Sequence, residues 1–367
     1  MKAKFNRAAL HDGLSLVTGV VPSRTPKPIL RCLRMTCQDD GVKLSATDLE
    51  VGVSCVVGQV EIEKAGDIVV PADEIAAIVR ESNDEVLELE ASEATVRLRG
   101  ADSHFTIYSQ EPNQYPAIAS FEGDGSIEVP LGDLQEGIEL TIFAAAKEST
   151  RYALNGVLWE IAGKKLTLVA TDGRRLAKSI VNLTAVRKED LPGGRIIVPA
   201  KTMNLLDRIT VSPDAKVSVK FVGNQVVLGC EQVVISSNLV EGNFPKYEDI
   251  IPTDYENKVT LNREATLSAV RRAALLADED SKGIKLSLAK DSIIFTSRAP
   301  ETGDAEVDMT VAYSGAAMEI GFNPQFLVDV LRVIKAKDFD LHLGESDRPG
   351  MIKSGSNFLY IVMPVNL

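Results

Sequence analysis

Apolar residues recur at helical spacing in six stretches of this chain, and at alternate positions in much of what lies between. Leu10, Leu14 and Val17 define one stripe, Leu134, Ile138, Ile142 and Ala145 a second, and Val270, Ala273, Ala274 and Ala277 a third. Ile75, Ile78 and Val79, then Met203, Leu206 and Ile209, then Leu327, Leu331 and Ile334 give three more. Residues three and four apart share a helix face, so each set predicts a helix that buries one side. Asn6, Asp133 and Asn262 stand where the first set should begin, and short polar side chains suit an N-cap. Glu136 follows Asp133 at near capping-box spacing. The second set opens at Pro71, Pro199 and Pro324, because the N–H that proline lacks is unused in a first helical turn. After each second helix come alternating stretches such as Val86-Leu87-Glu88-Leu89-Glu90, Val217-Ser218-Val219-Lys220-Phe221 and Phe339-Asp340-Leu341-His342-Leu343. These read as half-buried antiparallel strands, with Gly223-Asn224 as a tight hairpin turn.

The pattern has a long period. Ile68-Val69-Val70-Pro71 returns as Ile196-Ile197-Val198-Pro199 and, altered, as Ile320-Gly321-Phe322-Asn323-Pro324, with prolines 128 and 125 residues apart. Ser45-Ala46-Thr47-Asp48, Val169-Ala170-Thr171-Asp172 and Phe295-Thr296-Ser297 keep the same beat, their threonines 124 and 125 residues apart. Solenoid units are shorter, so each repeat should be a domain with its own core. The expected fold is α+β: three repeated domains at 1–123, 126–252 and 253–367, each with two helices packed on antiparallel sheets. The linkers, Glu122-Gly123-Asp124-Gly125-Ser126 and Ile251-Pro252-Thr253-Asp254, are short, which predicts neighbours held at a fixed angle.

A length of 367 residues fits three domains of about 120 each. With 45% apolar and 25% charged residues, the composition is that of a globular protein. No apolar run reaches the roughly 18 residues of a membrane span, and Met1–Arg7 carries no signal-peptide block, so a cytoplasmic location is expected. Cys32, Cys37, Cys55 and Cys230 show neither CxxC pairing nor metal spacing and read as reduced structural thiols; no metal or cofactor is expected. His11, His104 and His342 are scattered over the repeats, and Asp48 and Asp172 read as turn formers, with Gly173 accepting positive φ. GxxxxGK[ST], HExxH and GxSxG are absent from the sequence. A net charge of −12 argues against nucleic-acid binding on an open surface. Three similar bodies in one chain point to a symmetric, non-catalytic assembly more than to a catalytic cleft.

Two clusters remain: Arg151-Tyr152-Ala153-Leu154-Asn155-Gly156, expected to end the long helix of the middle repeat, with Ala170–Leu176 close behind, and the apolar tail Tyr360–Leu367. Together with the threefold repeat and Asn243-Phe244-Pro245-x-Tyr247, these stretches resemble the bacterial sliding clamp, the β subunit of DNA polymerase III, over the whole chain. The resemblance departs at Arg174, where many clamps carry His, and at Asn366, where the tail usually carries Arg.

The resemblance implies a head-to-tail homodimer, a ring of six domains with twelve helices around duplex DNA. Twelve helices about 10 Å across leave a hole of roughly 28 Å. A closed ring holds DNA by topology, which answers the charge objection. The DNA-facing candidates are Arg7, Arg24, Arg80, Lys147, Lys201, Arg208, Arg271, Arg272, Arg332 and Lys335. The implied partner-peptide pocket is walled by Arg151, Leu154, Thr171, Gly173, Arg174, Arg175, Leu176, Pro245, Ile250, Ile361, Met363, Pro364, Val365 and Leu367. It would receive segments of the replicative polymerase α subunit, a clamp loader and other proteins bearing a clamp-binding motif. Phe105 and Ile107, on an edge strand, and Leu275 and Leu276 form the implied dimer interface, with Glu301, Asp304 and Glu306 opposite Arg97 and Arg99. Two other classes stay open on the residues alone: an enzyme with an interdomain active site, and a scaffold that never meets DNA.

Overall fold

The computed structural model describes every residue except 93, 148–151, 194, 278–282, 301 and 367. Six α-helices occur among the described residues: α1 (Arg7–Val17), α2 (Ala72–Glu81), α3 (Leu131–Ile142), α4 (Ala200–Asp207), α5 (Arg263–Ala273) and α6 (Pro324–Val333). They are the six predicted from the apolar stripes, and the fold is α+β. Asn6 caps α1 by accepting the Ala9 N–H at 3.1 Å, and Asn262 caps α5 by accepting that of Ala265 at 3.0 Å.

The start of α3 differs from expectation. It begins at Leu131, so Asp133 lies inside the first turn and not at the cap. The Leu131 and Gly132 N–H groups donate to the carbonyls of Ala215 and Pro213, both at 2.8 Å, so backbone does the capping. The helix also ends at Ile142, well before the Arg151 cluster. Pro71 and Pro199 end strands, one residue ahead of α2 and α4; Pro324 alone lies within its helix. The reason is pairing: Pro71 and Pro199 hold register with Cys32 and Gly156.

The chain forms two compact units, residues 1–135 with 183–194 and 201–239, and residues 136–182 with 195–200 and 240–367. The first unit holds a five-stranded antiparallel sheet in the order Val60–Lys64, Lys2–Asn6, Val86–Ala91, Thr95–Arg99, His104–Tyr108. It also holds a nine-stranded sheet in which Val51–Val57 of the first repeat pairs with Val233–Asn238, the last strand of the second. The other unit holds an eight-stranded sheet in which Arg175–Asn182 of the second repeat pairs with Phe358–Val362, the last strand of the third. A four-stranded sheet ends at Gly303–Thr310.

One rule therefore builds both repeat junctions: the strand after the Thr-Asp marker receives the last strand of the following repeat. Two strands are left over. His104–Tyr108, the last strand of the first repeat, and Gly303–Thr310, the equivalent of Val51–Val57 and Arg175–Asn182, each lie at a free sheet edge. Packing beneath the sheets is dense. Phe5, Trp159, Phe295, Phe322 and Tyr360 are fully buried, and all four cysteines are free thiols.

Candidate functional site

The Thr-Asp marker is a turn built twice from the same bonds. In the second repeat Thr171 Oγ donates to the Arg175 carbonyl at 2.6 Å and accepts the Gly173 N–H at 3.1 Å. Asp172 Oδ1 accepts the Arg174 and Arg175 N–H groups at 2.9 and 3.1 Å. In the first repeat Thr47 donates to Val51 at 2.8 Å and accepts from Leu49 at 3.0 Å, while Asp48 accepts from Glu50 and Val51 at 2.9 and 2.7 Å. The residue after Asp has φ +89° at Gly173 and +80° at Leu49, so only the second repeat uses the residue that this conformation favours. In the third repeat the strand Ser292–Ala299 runs through the marker, and Ser297 donates instead to the Ala273 carbonyl at 2.6 Å.

Arg175 is the most engaged of the expected pocket residues. Its guanidinium donates to Asp172 at 2.9 Å, Asp329 at 2.6 Å and the Phe143 carbonyl at 2.8 Å, and lies 4.5 Å from the centre of the Phe326 ring. Only 9% of its side chain is exposed. The guanidinium is therefore held largely inside, between the turn and the residues that it meets in space.

Leu154, Thr171, Leu176 and Ile361 are buried. Gly173, Arg174, Ile250 and Met363 are exposed, and Pro245, Pro364 and Val365 are half-buried. Arg151 and Leu367 lie outside the described residues, as does Glu301. The tail crosses two elements: Met363 N–H donates to the Arg174 carbonyl and Val365 N–H to that of Gly321, both at 2.9 Å. The apolar cluster under this surface includes Phe244, Tyr247 and Met351, with Val240 packed against it. None of these was singled out as a site residue. Phe244 and Tyr247 are fixed by tertiary bonds: Arg195 donates to the Phe244 carbonyl at 3.0 Å, and Tyr247 Oη donates to Glu160 at 2.5 Å. Burial, with this hydrogen bond to an anion, pushes the Tyr247 pKa far up.

The basic candidates divide. Arg24, Lys147, Arg208, Arg271, Arg272 and Arg332 are exposed, and Arg7 is half-buried at the start of α1. Arg80 is exposed but pairs with Glu81 at 2.9 Å, and Lys335 pairs with Glu139 at 3.2 Å. Lys201 has the most partners of the set among the described residues. Its ammonium meets Asp48 at 2.5 Å and the Val20 carbonyl at 2.8 Å, so it ties the first-repeat turn to α4. The outward positions of α3 are acidic, with Asp133 and Glu136 exposed.

The two free edges carry opposite charge. Phe105 and Tyr108 are exposed on the first, beside exposed Arg97 and Arg99; Arg97, Arg99, His104, Phe105 and Thr106 line an open hollow of about 430 Å³. On the second, Asp304, Glu306 and Asp308 are exposed along the strand; Asp304 and Glu306 line a groove of about 950 Å³ with Glu319, Lys285 and Arg298, and the neighbouring turn leaves Leu275 79% exposed. Leu276 is partly buried there, and Ile107 is half-buried on its strand.

Comparison with known proteins agrees with this architecture. Family models match all three repeats: the N-terminal domain of the DNA polymerase III beta subunit at residues 1–119, its central domain at 128–246 and its C-terminal domain at 248–366. The chain is similar to the beta sliding clamp of Pseudomonas putida, 33% identical over 376 residues, and to that of Escherichia coli K12, 30% identical over 372, in both cases over all of each chain. Among solved structures it is similar to the DNA polymerase III subunit beta of Pseudomonas aeruginosa, with TM-score 0.86 and 30% identity over all of both chains. It is also similar to the DNA polymerase III beta subunit of Thermotoga maritima, with TM-score 0.90 and 28% identity over all of this chain and 99% of that one. The chain belongs to the DNA polymerase III beta subunit family, the bacterial sliding clamps.

Proposed function

We propose that two copies of this chain join edge to edge into a closed ring of six repeats around duplex DNA. The observation that carries this is the pair of leftover strands. Inside the chain, each strand of the Val51–Val57 type receives the last strand of the next repeat, so Gly303–Thr310 should receive His104–Tyr108 of a second copy. Arg97 and Arg99 would then face Asp304 and Glu306, and Phe105 would cover the Leu275 and Leu276 turn.

The chain is a non-catalytic processivity subunit in this reading. The ring tethers the replicative polymerase to its template, and enclosure replaces strong phosphate contacts, which tolerates a net charge of −12. Arg7, Arg24, Arg80, Lys147, Arg208, Arg271, Arg272, Arg332 and Lys335 supply modest positive charge toward the duplex. The surface of Pro245, Ile250, Met363, Pro364 and Val365 over Leu154, Leu176 and Ile361 takes short apolar segments of the polymerase α subunit, a clamp loader and other partners. The sequence has no phosphate-binding loop of its own, so the loader brings the ATP chemistry. The ring works in the cytoplasm, where its free thiols stay reduced. Sedimentation equilibrium tests the closure: the particle should have twice the 39.6 kDa chain mass. A monomer at micromolar concentration would contradict it.

A further inference from the structure

We propose that His104 couples closure of the ring to pH: across the joined edges it meets Asp308 of the second copy, and closure takes up a proton there. The proposal rests on the ring reading above. The register comes from the repeats themselves. Counted out from the first strand of each repeat, paired residues run Ala3, Leu89, Leu98, Phe105, then Ile127, Val219, Leu228, Ile235, then Val259, Leu341, Ile352, Tyr360. Phe105, Ile235 and Tyr360 are therefore equivalent. On the receiving strands Val53, Ala177 and Val307 match, because they pair with Ala46, Ala170 and Phe295, each one residue before the marker threonine. Within the chain Ile235 pairs with Val53, and Tyr360 with Ala177. The same rule sets Phe105 against Val307 of the second copy, hence His104 against Asp308 and Thr106 against Glu306. The faces agree with this register. Phe105 pairs with buried Leu98 and Val307 is buried, whereas His104, Thr106, Glu306 and Asp308 are all exposed. A slip of one residue would set Phe105 against an acid.

The charges around His104 favour its protonation only in the joined edges. In its own chain it pairs in register with Arg99, with Arg97 one pair along, and neither it nor these arginines has a side-chain partner among the described residues. Asp102 is exposed in the adjoining turn, and Asp84 accepts the Ala101 N–H there at 3.1 Å. Behind the strand, Asp67 is held by Arg34, and α2 carries Asp73 and Glu74 in its first turn and Arg80 and Glu81 at its end. On the receiving edge Asp308 is flanked by Glu306, with Lys290 and Asp291 in the turn beyond Thr310. Arg298 pairs in register with Asp304, Lys285 bonds Glu319, and α5 carries Arg263 and Glu264, which pair, and Arg271 and Arg272. In a lone chain Arg99 opposes a second positive charge at His104. Closure brings Asp308 and Glu306 to it, so the joined edges bind the proton more tightly than the separate ones. By linkage, closure strengthens as pH falls through the range in which histidines gain their proton, about pH 8 to 5.

The test is the dimer dissociation constant, measured by fluorescence-detected sedimentation of the full-length protein at pH 8 and pH 6 and fixed ionic strength. Wild type should dimerise about tenfold more tightly at pH 6, roughly threefold from each of the two joined edges. His104→Gln and Asp308→Asn should each change less than about twofold between the two pH values. His104→Arg should hold at pH 8 the affinity that wild type reaches at pH 6. The wild-type shift should shrink in about 1 M salt. A wild-type dimer equally tight at both pH values, or a shift that survives His104→Gln, overturns this inference and leaves the ring standing. A shift lost in His104→Gln but kept in Asp308→Asn overturns the pairing assigned to His104. A monomer at micromolar concentration at both pH values overturns the ring reading and this one with it.

Discussion

The Arg175 guanidinium lies 2.6 Å from the Asp329 carboxylate, which joins the Thr171–Arg175 turn to helix α6 across 154 residues of sequence. Both side chains are largely buried, so removing Arg175 takes a shared cation from both Asp329 and Asp172, whereas removing Asp329 leaves Arg175 its bond to Asp172. Arg175→Ala should cost about 3 kcal/mol in urea unfolding, of the order seen for a broken buried pair. Asp329→Asn, which keeps a hydrogen-bond acceptor, should cost less. Equal stability for all three proteins would show that the bond is incidental.

The paired Thr-Asp turns invite an exchange. Gly173 has φ +89° and nothing within 4 Å of a would-be Cβ, so only its backbone conformation demands glycine. Gly173→Leu should destabilise by about 1–2 kcal/mol. Leu49 already bears that strain at φ +80°, so Leu49→Asn should stabilise by about 0.5 kcal/mol, because asparagine enters the left-handed region more readily. Thermal unfolding of the two variants checks both signs.

Phe105→Arg should turn the assembly into a folded monomer. It adds a cation to a strand edge already beside Arg97 and Arg99, and removes an apolar contact for the Leu275 turn. Charge reversal at Asp304 and Glu306 should weaken the dimer more at low salt than at high salt, since exposed charges are screened. Sedimentation velocity distinguishes these outcomes; a dimer in Phe105→Arg places the interface elsewhere.

His342 has its pKa lowered, first by burial and then by Lys353 and Lys258, against the opposing pull of Asp340. Its Nε2 is buried with no hydrogen-bond partner among the described residues, and its ring meets Tyr255 edge-on at 5.6 Å. A base with a depressed folded pKa binds fewer protons folded than unfolded, so stability falls as pH drops through the ordinary histidine value of 6.5. The urea midpoint should therefore decline between pH 7 and pH 5 more steeply in the wild type than in His342→Gln. Parallel declines would remove His342 as the cause.

Much of the fold was legible because its signals are local. Apolar spacing marks all six helices, the returning Ile-Val-Pro phrase marks the three repeats, and Asp172-Gly173 announces its own turn. What stayed hidden depends on partners far away in sequence. Asp133 resembles a cap, yet the carbonyls of Pro213 and Ala215 satisfy the start of α3 first. Lys201 resembles a solvated helix charge until Asp48, 153 residues distant, claims it. For Arg175 the sequence gives no sign of the three oxygens and two rings that meet its guanidinium. Spacing cannot show which carboxylate a cation will meet after folding.

Enclosure of DNA by a closed ring is the central claim, and retention on nicked circular DNA tests it most directly. After loading, the protein should stay on the circle through a gel-filtration column in moderate salt, and should leave when a restriction enzyme converts the circle to a linear molecule. Retention that survives linearisation, or loss from the intact circle, would contradict it.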